Sequence, residues 1–115
     1  MERLVNLNIE EIKDILFPLG EGNRLIKEMG IFGSKARGED TRQSDLDIYV
    51  DYDEERLNLI SEEEVLNLMS FENNLESSIE GVAISLTSIQ ALKDSGNSEI
   101  LKEIKKDKVI LYAKE

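Results

Sequence analysis

Residues 32–50 read FGSKARGEDTRQSDLDIYV, and this stretch decides how the rest of the chain is understood. From Asp45 onward its polarity alternates, with Leu46, Ile48 and Val50 on one side and Asp45, Asp47 and Tyr49 on the other. A period of two is the mark of a strand, here with one buried and one wet face. Residues two apart on a strand point the same way, so the carboxylates of Asp45 and Asp47 lie roughly 6.6 Å apart along the chain. At that spacing they can converge on one divalent cation or grip two neighbouring ones. Magnesium suits the arrangement, because it takes one or two protein carboxylates and completes its shell with water and substrate phosphates. Taken alone, Asp-x-Asp is more often a solvated strand face.

Gly33-Ser34 changes that balance. A glycine lets backbone approach a ligand closely, and a serine opening a helix offers its hydroxyl and nearby amides to a phosphate. By itself Gly-Ser is an ordinary helix cap. Joined to the paired carboxylates it describes a strand–turn–helix phosphate cradle followed by a metal-holding strand. Such a metal–triphosphate site works mostly by positioning and charge neutralisation.

Working outward, residues from Ile26 to Phe32 lead into the glycine as a strand, and Ser34 to Arg37 form a short helix closed at Gly38. Before them, Asn8 and Glu11 form a capping pair for a helix carrying Ile9, Ile12, Leu16 and Leu19, which Pro18 bends or shortens near Gly20 and Gly22. After them, Ser61 and Glu64 make a second capping box, and Val65, Leu66, Leu68, Met69 and Leu75 give an amphipathic helix. Val82 to Thr87 reads as a third strand. Ser88 caps a short helix through Leu92, Asn97 or Ser98 caps another with Ile100, Leu101 and Ile104 facing inward, and Val109 to Tyr112 is a last strand. The expected fold class is α+β, a mixed sheet of about four strands packed by helices in a single domain over residues 1–115.

Composition narrows the chemistry. The 115 residues contain neither cysteine nor histidine. Disulfides, thiolate metal sites and the commonest general base are therefore absent, which leaves carboxylates, hydroxyls, Lys/Arg and backbone. With 25 acidic against 14 basic residues the formal net charge is −11, so long nucleic acid is not an expected partner. An acidic surface instead favours a basic protein, or serves only solubility; both readings stay open. The lack of a long apolar run or secretory leader excludes a membrane span and points to the cytoplasm.

The sequence resembles the minimal nucleotidyltransferases of the polymerase-β-like superfamily. Gly33-Ser34, ten intervening residues and Asp45-Leu46-Asp47 match that superfamily's signature, and the string from Phe32 to Val50 looks like its small prokaryotic members. Ile84 to Lys93 (ISLTSIQALK) is similar to the family's third strand and following turn, and Ile104 to Tyr112 to its closing stretch. The resemblance implies the nucleotidyltransferase fold, nucleotide binding by Gly33, Ser34 and Arg37, and catalytic metal held by Asp45 and Asp47. Arg37 either contacts phosphate or steadies the loop, while Lys35 reads as an exposed lysine. The implied cofactor is Mg²⁺ (or Mn²⁺), with ATP or another NTP as substrate. The implied activity is transfer of NMP, chiefly AMP, to a hydroxyl. The family's usual setting makes that hydroxyl a tyrosine of a basic HEPN-domain toxin, with the chain as antitoxin of a type VII-like pair.

One position departs from the family pattern. A third carboxylate is expected on the strand after the long helix, and in the best register Ser85 stands there. Asp51 and Asp53 share the parity of Asp47, yet Asp51 lies roughly 13 Å along an extended strand, beyond a shared coordination sphere. Glu80 would reach only through another register. A neutral hydroxyl cannot supply the missing charge. The alternative is therefore a weakened or inactive nucleotidyltransferase-fold antitoxin that neutralises its partner by binding alone. An antibiotic-modifying transferase is a third reading, but 115 residues leave little room for a drug-holding helical region.

Overall fold

The structure is a computed structural model that describes residues 8–38, 45–79 and 81–114. Asn8 caps α1 (Ile9–Glu21): its side chain accepts from the Glu11 amide at 2.8 Å, and the Glu11 carboxylate accepts from the Asn8 amide. The helix runs three residues past Pro18 and ends at Gly22, whose amide donates to the Pro18 carbonyl at 3.0 Å. Near the helix end a proline carbonyl still accepts, so the ring limits the helix without breaking it earlier.

Four strands form one sheet: β1 (Ile26–Phe32), β2 (Leu46–Tyr52), β3 (Ile84–Ser88) and β4 (Val109–Ala113), in the order β3-β2-β1-β4. β1 runs antiparallel to both β2 and β4, whereas β2 and β3 are parallel. The expected mixed four-stranded sheet is thus present. β1 has the expected bounds, β3 begins two residues later than the apolar pattern implied, and β4 extends one residue further. The parallel β2–β3 pair needs a long crossover, which α3 (Glu54–Leu57) and α4 (Glu62–Glu76) supply. Asp53 caps the unforeseen α3 by accepting from the Arg56 amide at 3.3 Å.

The sheet is covered on both faces, which corrects the expectation of one wet side for β2. Leu46, Ile48 and Val50 join Ile12 and Leu16 of α1 and Phe71 and Leu75 of α4 in the larger core. On the opposite face Tyr49 is only 1% exposed and packs in a second cluster with Phe32, Leu92 and Ile104. The last two come from α5 (Ile89–Ser95) and α6 (Ser98–Asp107), which Ser88 and Asn97 cap. Gly30 makes room for this packing, since a Cβ there would collide with the Tyr49 ring and the Val109 carbonyl.

α4 departs from its expected inner face. Leu75 is buried and Leu68 partly so, with Phe71 beside them, but Leu66 and Met69 are 64% and 54% exposed and Val65 also faces out. Ser61 caps the helix through the Glu64 amide at 3.2 Å, while the Glu64 carboxylate accepts from the Ser61 hydroxyl at 3.4 Å. Among the described residues no helix is long and apolar enough to cross a membrane.

A small polar knot closes the second cluster. The Tyr49 hydroxyl donates to Glu28 at 2.8 Å, and Lys108 pairs with the same carboxylate oxygen at 2.8 Å. Burial raises the Glu28 pKa, but the bonds from Lys108 and Tyr49 outweigh it and hold the carboxyl below its ordinary value. A depressed carboxylate contributes stability above its unfolded pKa and loses it as pH falls through the folded one. Glu28→Gln is therefore expected to cost about 1 kcal/mol at neutral pH. Urea unfolding across a pH series should show the gap to the parent closing as acid protonates Glu28.

Candidate active site

β1 ends at Phe32, whose Cα pairs with that of Asp47 on β2. The next residue, Gly33, has φ 78° and ψ −152°, a backbone conformation that is essentially glycine-only. A Cβ added here would run into the Asp47 carboxylate, so glycine is needed twice over, for its backbone angles and for the close approach. Ser34 then opens α2 (Ser34–Arg37), whose Arg37 amide donates to the Gly33 carbonyl at 3.1 Å. Gly38, left-handed at φ 74°, closes this single turn as expected. The 39–44 segment between this turn and Asp45 lies outside the described residues.

Asp45 is exposed just before β2, and Asp47 is half-buried on it. Burial raises the Asp47 pKa, and the neighbouring charges of Asp45 and Glu103 raise it further, while Arg37 opposes them. Asp47 thus sits in a half-desolvated corner under the charge of nearby acids. A divalent cation would relieve that repulsion. Hard oxygen donors of this kind suit Mg²⁺ or Mn²⁺, so the chemistry of Asp45 and Asp47 would fit such an ion.

Arg37 has a definite structural tie. Its guanidinium donates to Asp107 at 2.9 Å and to Glu103 at 3.4 Å, both on α6. This pairing fastens α2 to a helix seventy residues away in sequence. Neither Glu103 nor Asp107 was foreseeable from the linear chain. They lie on an amphipathic helix like other acidic residues, and only the packing of α6 brings them to Arg37.

The register of the third strand is as expected. Ser85 is the Cα partner of Asp47 in the parallel β2–β3 pair, which puts the two side chains on the same face. The position beside Asp47 thus carries a hydroxyl. The other carboxylates considered are occupied elsewhere: Asp51 accepts from Gln90 at 2.8 Å, and Asp53 caps α3 and pairs with Lys114 at 3.6 Å. Glu80 lies outside the described residues. Among the described residues no three acidic side chains gather around one point that would hold a cation.

Comparison with known proteins shows the family. The family model described as polymerase beta, nucleotidyltransferase matches residues 10–115. The chain belongs to that nucleotidyltransferase family. Within it, the chain is 33% identical over 104 residues to the protein adenylyltransferase MntA of Thermococcus cleftensis, covering 85% of this chain and 94% of the relative. A Sulfolobus solfataricus crystal structure described as a nucleotidyltransferase superposes with a TM-score of 0.50 at 25% identity, covering 92% of this chain and 80% of that one. A toxin–antitoxin crystal structure with AMP-PNP gives a TM-score of 0.52 at 20% identity, covering 95% and 76% respectively; this last likeness speaks to the fold alone.

Gly33→Ala tests the cradle. Forcing a side chain into this backbone region costs about 1–3 kcal/mol and displaces the Asp47 carboxylate. The expected result is a lowered midpoint of unfolding together with weaker Mg²⁺-dependent nucleotide binding, measured by calorimetry.

Proposed function

We propose that the chain transfers AMP from a metal–ATP complex to a hydroxyl on a partner protein, a tyrosine of a basic HEPN-domain toxin, and so acts as the antitoxin of a toxin–antitoxin pair. The observation that carries the reading is Gly33 folded tightly against the Asp47 carboxylate at the head of β2, with Asp45 beside it. The name of the Thermococcus relative supports adenylyl transfer to protein, and the toxin–antitoxin setting of a structure that shares the fold is in keeping with a protein partner. A net charge of −11 suits a basic one.

In this scheme Gly33 and Ser34 receive the triphosphate, and Gly33 does so because no side chain stands between its backbone and the site. Asp45 and Asp47 would hold a divalent cation, which would supply neutralisation of phosphate charge and polarisation of the α-phosphate. The acceptor oxygen attacks the α-phosphorus; the new P–O bond forms as the bond to the bridging oxygen of the β-phosphate breaks. Pyrophosphate leaves, and the hydroxyl proton passes to water, since Ser85 offers no carboxylate beside Asp47. Arg37, anchored by Asp107 and Glu103, keeps α2 and its phosphate-facing backbone in place.

Ser85 favours a second reading, in which the protein binds nucleotide and partner but turns over slowly or not at all. One assay separates the two. The protein, Mg²⁺, labelled ATP and the product of the neighbouring gene are incubated together. Label on the neighbour supports transfer; inhibition of the neighbour's ribonuclease activity without label supports binding alone.

Two variants sharpen the outcome. Asp47→Asn should lower transfer by roughly two orders of magnitude or more while the circular dichroism stays unchanged, because one of two charged ligands is lost. Undiminished labelling would place the site elsewhere. Ser85→Asp should raise the rate of labelling by restoring a carboxylate next to Asp47; an unchanged or lower rate would show that this position does not serve the metal.

A further inference from the structure

A second pocket lies on the same sheet face as Asp47 but toward the far end of β2, between the sheet and the α5–α6 pair. Its volume is about 450 Å³, and its floor is apolar, made by Tyr49, Ile89, Leu101 and Ile104. Buried Tyr49 and Phe32, with ring centroids 6.4 Å apart, lie between it and the Gly33–Asp47 corner. The volume falls within the range of roughly 300–1,000 Å³ typical of small-molecule sites.

The charge of the lining runs against that of the molecule. In a chain of net charge −11, four lysines (Lys93, Lys102, Lys105 and Lys108) surround this pocket. Its two acids are already engaged, Glu28 with Tyr49 and Lys108, and Asp51 with Gln90. Lys93 is paired with Glu54 at 3.3 Å. Lys102 and Lys105 are different: neither has an ion pair or hydrogen bond among the described residues. Three apart on α6, they stand on one helix face, and like charges so placed repel unless an anion comes between them. Ser98, four residues before Lys102, puts a hydroxyl on the same face and in the same lining.

We propose that this pocket is a second, metal-independent site for a nucleoside monophosphate. The phosphate sits between the ammonium groups of Lys102 and Lys105, Ser98 donates to phosphate or sugar, and the base lies on the apolar floor. Lysine binds phosphate as a mobile point charge, which needs no preformed fork. The claim goes beyond the transferase reading and does not depend on it, because it requires neither Asp45, Asp47 nor any cation.

The test is direct binding of AMP to the full chain in EDTA, by calorimetry, beside adenosine and inorganic phosphate alone. AMP is expected to bind, and to bind more tightly than either fragment, because charge and apolar body both contribute. Lys102→Glu/Lys105→Glu should weaken AMP by at least about tenfold, since two attractive charges become repulsive. Both lysines are exposed, so the fold should hold, checked by circular dichroism. Asp47→Asn should leave metal-free AMP binding unchanged. No binding of AMP in EDTA, equal affinity for AMP and inorganic phosphate, or full binding by the folded lysine variant would each overturn the proposal. Loss of binding in Asp47→Asn would also overturn it, by assigning the nucleotide to the first site. Failure of transfer in the labelling assay has no bearing on these outcomes.

Discussion

The antiparallel register between β1 and β2, which sets Phe32 opposite Asp47, is the constraint on which the rest depends. With strands of period two, a slip of one residue would turn Asp47 toward the larger core and bring Leu46 or Ile48 to the site. The register is held because Leu46, Ile48 and Val50 have a deep apolar layer to enter on one side. On the other side Tyr49 enters a second layer. Burial on both faces fixes the strand more firmly than a wet face would.

From that register the site follows in steps. β1 must end where β2 begins, so the chain turns immediately over Asp47, and only a glycine with the backbone angles of Gly33 can make the turn so close to a carboxylate. The turn delivers Ser34 and the single helical turn of α2. Its far end is fastened by Arg37 to Asp107 and Glu103 on α6, the helix that also supplies Ile104 to the second core cluster. Packing of α6 on the sheet and positioning of the turn at Gly33 and Ser34 are thus one arrangement rather than two. The cost is electrostatic: Asp47 is half-desolvated amid other acids and its pKa is raised, a condition that a bound cation relieves.

The two faces of the sheet also divide the molecule's surface. The face lined by α5 and α6 carries the candidate active site at one end and a lysine-rimmed pocket toward the other. The opposite side, covered by α1 and α4, leaves Val65, Leu66 and Met69 of α4 exposed. Ser85, exposed on the edge strand β3, is the Cα partner of Asp47 and sets a hydroxyl beside that carboxylate.

Much of this was legible in the linear chain. The alternation from Leu46 to Val50, the capping residues Asn8, Ser61, Ser88 and Asn97, and the glycines at 33 and 38 each act through neighbours within a few residues, so their consequences can be read locally. The joint spacing of Gly33-Ser34 and Asp45-Leu46-Asp47 belongs to the same class, because the two pairs lie close together in the chain. What only the tertiary structure decided are the relations between distant segments. The period-two pattern of β2 says which residues share a face, but not that α5 and α6 cover the face bearing Tyr49. Helical spacing in α4 marks Val65, Leu66 and Met69 as apolar, yet which arc turns inward depends on the crossing over the sheet that brings Phe71 and Leu75 down. Nothing near Arg37 in sequence names Asp107 or Glu103, and nothing near Lys102 shows that its pocket contains two carboxylates already engaged. Local order is set by short-range sterics and hydrogen bonds, whereas long-range ion pairs and burial are fixed only when the sheet closes and the helices dock on it.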